Sequence, residues 1–239
     1  MTQTPLVELV DVSKDYRALR PLRIAHLSIA AGEQVAVIGP DRPAAEVLVN
    51  LITGATVPDR GEVHLFGRPT TAIADAAEWF ATIDRIGIVS ERAALLDAFS
   101  IVQNLAVPFT LRIDPPPDDV RDRAVALAHE VGLPEASWVR PLAEMDRAGR
   151  CRVRLARALA LDPELVVFEH PTLSLQRGDV ASLASSFRTI LQHRRLAALS
   201  ITADMEFAHG IAARVLALDL ATGRLSSRRR GWLSRLGGE

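Results

Sequence analysis

Residues 34–38 read Gln-Val-Ala-Val-Ile, a mostly apolar run closed by Gly39-Pro40. That pattern predicts a buried strand and a turn. Apolar positions then recur at helical spacing, Val47, Leu48, Leu51 and Ile52, so strand, loop and helix follow one another to about Thr53. Upstream, residues 6–12 and 23–29 mix β-branched with polar residues and predict two strands, and Ala31-Gly32-Glu33 turns the chain into the central one. Downstream, Pro58-Asp59-Arg60-Gly61 is a turn before an alternating strand, 62–66. A helix over 75–83 and a short buried strand over 86–89 follow, ending at Ser90-Glu91.

Between Arg92 and Gly149 strand patterns vanish. Helical patterns flank Asp114-Pro115-Pro116-Pro117-Asp118-Asp119, where prolines forbid helix and aspartates suit the start of the next one. That helix, 120–131, has apolar Val120, Ala124, Leu127, Ala128 and Val131 and stops at Gly132. From there helix 150–161, strand 165–168, helix 180–193, strand 197–201, a helix near Phe207 and strand 215–218 alternate. Alternation of this kind predicts a parallel sheet with helices on both faces.

Composition narrows the function. With 239 residues, 49% of them hydrophobic, the chain can bury one large core or two modest ones. A net charge of −1 argues against nucleic acid as a partner. The single cysteine, Cys151, excludes an internal disulfide framework and fits a reducing compartment. No apolar run approaches the ~18 residues that span a bilayer, and residues 1–21 have no signal-peptide pattern, so a soluble intracellular protein is expected. Lys14 is the only lysine.

Strand, loop and helix in this order are the setting of a phosphate-binding loop, in which backbone N–H groups and a helix N-terminus hold an anion. The expected spelling is Gly, four residues, then Gly-Lys-Ser/Thr; here Gly39 is followed by Pro40, Asp41, Arg42 and Pro43, and then by Ala44-Ala45-Glu46. Pro43 removes a donor N–H, and Ala44 replaces a residue that permits close backbone approach. A tight strand-to-helix turn without ligand is the alternative reading.

Further landmarks fall in a telling order. Arg152-Val153-Arg154-Leu155-Ala156-Arg157-Ala158-Leu159-Ala160 forms one helical stretch, and the strand at 165 runs into Pro171-Thr172. Ile86-Gly87-Ile88-Val89-Ser90-Glu91 precedes Leu95-Leu96 and Val102-Gln103-Asn104-Leu105-Ala106-Val107-Pro108. In these motifs, over about residues 5–220, the chain resembles the ATP-binding subunits of ABC transporters. The resemblance implies an α/β fold: a P-loop NTPase (RecA-like) core with a parallel sheet and helices on both faces, an N-terminal antiparallel β subdomain and an inserted α-helical subdomain. The implied division is 1–91 with 150–225 as core, 92–149 as the helical insertion and 226–239 as a basic tail.

The same resemblance places functional positions, and most depart from the family's residues. Ala45 stands where a lysine meets the β/γ-phosphates, and Glu46 where a hydroxyl holds Mg²⁺. A carboxylate ~4 Å from a phosphate charge costs roughly 4 kcal/mol at an effective dielectric of about 20. That is on the order of a thousandfold in affinity; Arg42 is a candidate to offset it. Glu169 and His170 occupy the magnesium-orienting and general-base positions, with His170 alternatively a packing residue. Glu91 stands for a sensing glutamine, Ala203 for a histidine that contacts the γ-phosphate, and Gln176 for an aspartate at the dimer seam. The signature motif maps onto Met145, Asp146, Arg147, Ala148 and Gly149, with a solvated Asp146–Arg147 pair as the plain alternative. Tyr16 alone matches, at the position whose ring stacks on adenine.

The resemblance therefore implies a non-hydrolysing subunit with no catalytic residues and no metal site, acting as scaffold or regulator. No cofactor is expected, with ATP and Mg²⁺ bound only if residual binding persists. The implied partners are an integral-membrane permease, contacted through residues 91–108, and a second cassette subunit in a homo- or heterodimer. The implied location is the inner face of the cell membrane. The spelling of Ala94-Leu95-Leu96-Asp97, Asn104 to Pro108 and Ala158 to Leu165 leans toward the Mla/mammalian-cell-entry lipid-transport type, with lipoprotein-release and macrolide-exporter types about as close. The alternatives are an ATPase that hydrolyses slowly with Arg42, Glu46, Glu169 and His170, or a free-standing interaction module. In the tail, Arg228-Arg229-Arg230-Gly231-Trp232-Leu233 suits anionic headgroups or a partner groove, or frays in solvent.

Overall fold

The computed structural model describes residues 4–227. In chain order the elements are β1 (Val7–Lys14), β2 (Leu22–Ile29), β3 (Gln34–Ile38), α1 (Arg42–Ile52), β4 (Arg60–Leu65), β5 (Arg68–Pro69), α2 (Ala76–Ile83) and β6 (Ile86–Ser90). Next come α3 (Ile101–Ala106), α4 (Asp118–Glu130), α5 (Arg147–Leu159), β7 (Leu165–Glu169), α6 (Arg177–His193), β8 (Ala197–Thr202), α7 (Met205–Ile211), β9 (Arg214–Leu218) and β10 (Leu225–Ser227).

Two sheets result. The first is antiparallel, in the order β2-β1-β4-β5. The second, β10-β9-β3-β8-β7-β6, is parallel except for β10. This is the α/β architecture with an N-terminal antiparallel sheet that the sequence led us to expect. β3 is buried at all five positions, and its side chains divide between two cores. Val35 and Val37 join a cluster with α1 and the antiparallel sheet; Ala36 and Ile38 join one with α5, α6 and α7. β7 divides likewise, Leu165 and Val167 one way, Val166 and Phe168 the other. A strand covered on both faces is apolar along its covered length, which is why 35–38 of β3 and 165–168 of β7 read as hydrophobic runs.

The helical stretch shares the second of these clusters: Leu105 of α3 and Leu127 of α4 pack in it with Phe168. At the centre, Phe168 lies 6.0 Å from Phe187 and 6.1 Å from Phe207, centroid to centroid. On α1 the buried apolar set includes Val49, while Val47 is only half-buried, so the stripe is rotated slightly from the expected one.

Other differences are local. β5 and β10, two and three residues long, were not expected, and strands that short carry too little periodicity to be read. Ser226 and Ser227 belong to β10 rather than to a tail, and the rest of the expected tail, 228–239, lies outside the described residues. α5 begins at Arg147 rather than 150, because Asp146 caps it. Among the described residues no helix is long and apolar enough to cross a membrane.

Candidate functional site

The loop after β3 keeps its glycine for a packing reason. Gly39 has φ 118°, and a Cβ there would lie 2.8 Å from the Leu218 carbonyl oxygen of β9. No L side chain fits that conformation and that approach.

At the start of α1 two backbone N–H donors, those of Ala44 and Ala45, are already committed. Asp41 is the N-cap, and its carboxylate accepts from the Ala44 N–H at 2.9 Å. The Ala45 N–H goes to the Asp41 carbonyl at 2.8 Å, and Pro43 has none to give. The chain's own carboxylate thus occupies the positive end of the helix. Ala45 is fully buried, facing the core. Lys14 is ion-paired with Asp59 at 2.8 Å.

Opposite α1, the strand ends of β6 and β7 carry an ion-pair network. Their register sets Ser90 beside Glu169, which puts the next turn of chain, with Arg92, over the end of β7. Arg92 Nη2 and Nε donate to Glu169 Oε2 at 2.7 and 3.1 Å, and Nη1 donates to Glu46 Oε1 at 2.8 Å. Glu169 is 6% exposed, so its charge is balanced inside the protein by one guanidinium. Hydrogen bonding to Glu169, joined by the charges of Glu169 and Glu46, holds Arg92 above its ordinary value against the opposing effect of burial.

Glu46 is therefore balanced by Arg92 and not, as the sequence suggested, by Arg42. Arg42 approaches Glu91 instead, at 3.8 Å, and Glu91 Oε1 accepts from the Ser174 N–H at 3.1 Å. His170, next to Glu169, is 5% exposed and adopts φ 42°. Its backbone N–H donates to the Ile201 carbonyl at 2.8 Å, while Nε2 has no partner among the described residues.

At the start of α5 the Asp146 carboxylate accepts from the Gly149 N–H at 2.6 Å, and Arg147 Nη1 donates to the Ser174 carbonyl at 2.8 Å. Asp146 and Arg147 thus have separate partners, which corrects the simple pair expected of them. Ala148 lies in the first turn of α5, and a Cβ on Gly149 would strike the Met145 side chain, with Sδ at 2.0 Å. Gln176 flanks α6 without a side-chain cap bond, and Ala203 is exposed just beyond β8. Tyr16 is half-buried against the antiparallel-sheet core; burial, and then the Asp41 charge, raise its phenol above the ordinary value. Glu46, Glu169, Arg92, Asp41 and Arg42 thus stand together at the ends of β3, β6 and β7.

A family model described as ABC transporter matches residues 22–173. The chain belongs to the ABC transporter family. It is 30% identical over 218 residues to the methionine import ATP-binding protein MetN of Brucella abortus (strain 2308), covering 91% of this chain but 58% of that protein. The lipoprotein-releasing system ATP-binding protein LolD of Pseudomonas fluorescens is 29% identical over 212 residues, 87% of this chain and 92% of that one. Among solved structures, the dimeric post-hydrolysis state of the ATP-binding cassette MJ0796 bound to ADP and Pi superposes with a TM-score of 0.75. That likeness has 22% identity and covers 94% of this chain and all of that one. The cbiO1 cassette from Clostridium perfringens, part of the cbiONQ transporter complex, gives 0.77 at 19% identity, over 94% and 88%. At those identities the structures share the fold of this ABC chain.

Arg92 was the residue that sequence reading missed. Its one signal in the sequence was its place directly after Glu91, just past the end of β6.

Proposed function

We propose that this ABC cassette is a non-hydrolysing subunit that docks on a membrane-embedded permease at the inner face of the cell membrane and pairs with a second cassette, as scaffold or regulator. The observation that carries the reading is the Arg92 guanidinium bonded to both Glu46 and Glu169. A metal-bound triphosphate needs a lysine, a hydroxyl and free N–H donors at the mouth of α1. Here those positions hold a buried Ala45 methyl, the Glu46 carboxylate and donors engaged by Asp41, with Pro43 lacking one. Ala203 offers no donor, and the cap role of Asp146 sets a carboxylate at the signature position. These residues do not fit Mg-ATP, and no step through it is assigned. In this reading 92–149 is the helical subdomain, inserted in a core of 1–91 and 150–225.

The docking contact proposed is the surface of residues 91–108. A lipid-linked cargo is proposed from the sequence spelling and the lipoprotein-release relative.

The test is phosphate release by the purified full chain with millimolar Mg-ATP, alone and with membranes of its own cell, alongside its recovery with those membranes. Membrane recovery without turnover by the purified chain supports the proposal. Turnover at ordinary motor rates removes the non-hydrolysing role, and a chain found only in the soluble fraction removes the docking role.

A further inference from the structure

The stretch 92–149 leaves the core after β6 and returns to it in α5, and side chains at both junctions bind the core. At the entry, the Glu91 carboxylate accepts from the Ser174 N–H at 3.1 Å. Arg92 beside it donates to Glu46 of α1 and to Glu169 of β7. At the exit, Arg147 donates to the carbonyl of the same Ser174 at 2.8 Å. One residue in the turn after β7 thus holds both junctions, the entry by its N–H and the exit by its carbonyl.

The far end of the stretch is tied as well. Arg194, just past α6, grips Glu130 at the end of α4 with two hydrogen bonds, 2.6 and 2.5 Å long. Both side chains are mostly covered, at 21% and 26% exposed, so salt screens this pair weakly. Beside it Arg152 of α5 donates to the Val131 carbonyl at 2.6 Å. Each of these ties includes a charged group, which makes it one of the stronger hydrogen bonds. A segment joined to its core by two lengths of chain can turn about them as a hinge. Turning 92–149 as a body breaks the ties at entry, exit and far end together, and strips the buried Glu169 of its cation.

Resting on the division and the docking proposed above, we infer that these three ties clamp the helical insertion to the core in one orientation without any nucleotide. The docking segment 91–108 begins at the clamp, so the permease meets it already in its binding pose. The joint is set by the chain's own charges, and Mg-ATP has no part in setting it.

The experiment attaches nitroxides to Ala55→Cys, after α1, and Ala126→Cys, on α4, both exposed, and reads their separation by double electron–electron resonance. Cys151 is buried and stays unlabelled. A single narrow distance is expected from the full chain, unchanged by millimolar Mg-ATP. R92M/E169Q/R147M opens both junction ties without leaving Glu169 charged, and should about double the width of the distribution or more. E130Q/R194M, confined to the far end, should broaden it too, and either variant alone carries the comparison if the other does not fold. Recovery of the junction variant with membranes should fall about fivefold or more, since only the fraction in the docking pose binds. A broad or two-peaked distance in the chain with its ties intact, or a shift with Mg-ATP, overturns the clamp, as does a width unchanged in both variants. Broadening with full membrane recovery overturns the presentation of the docking segment. Failure of the docking reading itself shows separately, as loss of membrane recovery by the chain whose ties are intact.

Discussion

The Arg92 guanidinium meets the Glu169 carboxylate through two hydrogen bonds, 2.7 and 3.1 Å long, where the chain leaves the parallel sheet. Glu169 is 6% exposed while the Arg92 side chain is 47% exposed, so the pair has one buried end and one wet end. Losing the arginine leaves a buried carboxylate without its cation. Full burial makes such a loss worth about 3–5 kcal/mol; with the cation half in solvent, Arg92→Met should cost about 1–3 kcal/mol. Adding Glu169→Gln should restore most of it. Urea unfolding of both single variants and the double variant checks this coupling.

Position 39, between β3 and α1, requires glycine. Its φ of 118° and the nearby Leu218 carbonyl account for that without any ligand. Gly39→Ala should destabilise by about 2 kcal/mol or more, well beyond a surface change. Thermal unfolding measures the loss, and a midpoint equal to wild type contradicts the packing role.

Phe168 is fully buried between Phe187 and Phe207. Phe187→Ala should cost about 3–5 kcal/mol by transfer and cavity terms together. Denaturant unfolding with an unchanged slope distinguishes a lost contact from a changed unfolded state.

Cys151 is 2% exposed, and burial foremost pushes its thiol up to about 12. A thiol held neutral and covered does not react at pH 8. Labelling by a disulfide reagent should therefore follow the rate of unfolding, whereas stoichiometric labelling within the mixing time contradicts the burial.

Much of the fold was legible because two periodicities alternate clearly. The apolar runs 35–38 and 165–168 signal strands covered on both faces, while the capping Asp75 and the first-turn Asp118 announce helices. The two-residue β5 lacks the length to show a pattern. At the site, the order of landmarks locates Glu46, Glu169 and the Asp146–Gly149 turn. It cannot show who balances whom: Arg92 and Glu169 are 77 positions apart, and only the β6–β7 register brings them together. Arg42, the nearer cation in sequence, points to Glu91 instead.

The central claim is that the chain's own charges occupy the place of a metal-bound triphosphate. Calorimetric titration of the full chain with Mg-ATP, to millimolar concentration, tests it most directly. The account predicts no saturable heat from the wild-type chain. Saturable binding with a Kd in the micromolar range, weakened by Glu46→Arg, would contradict it.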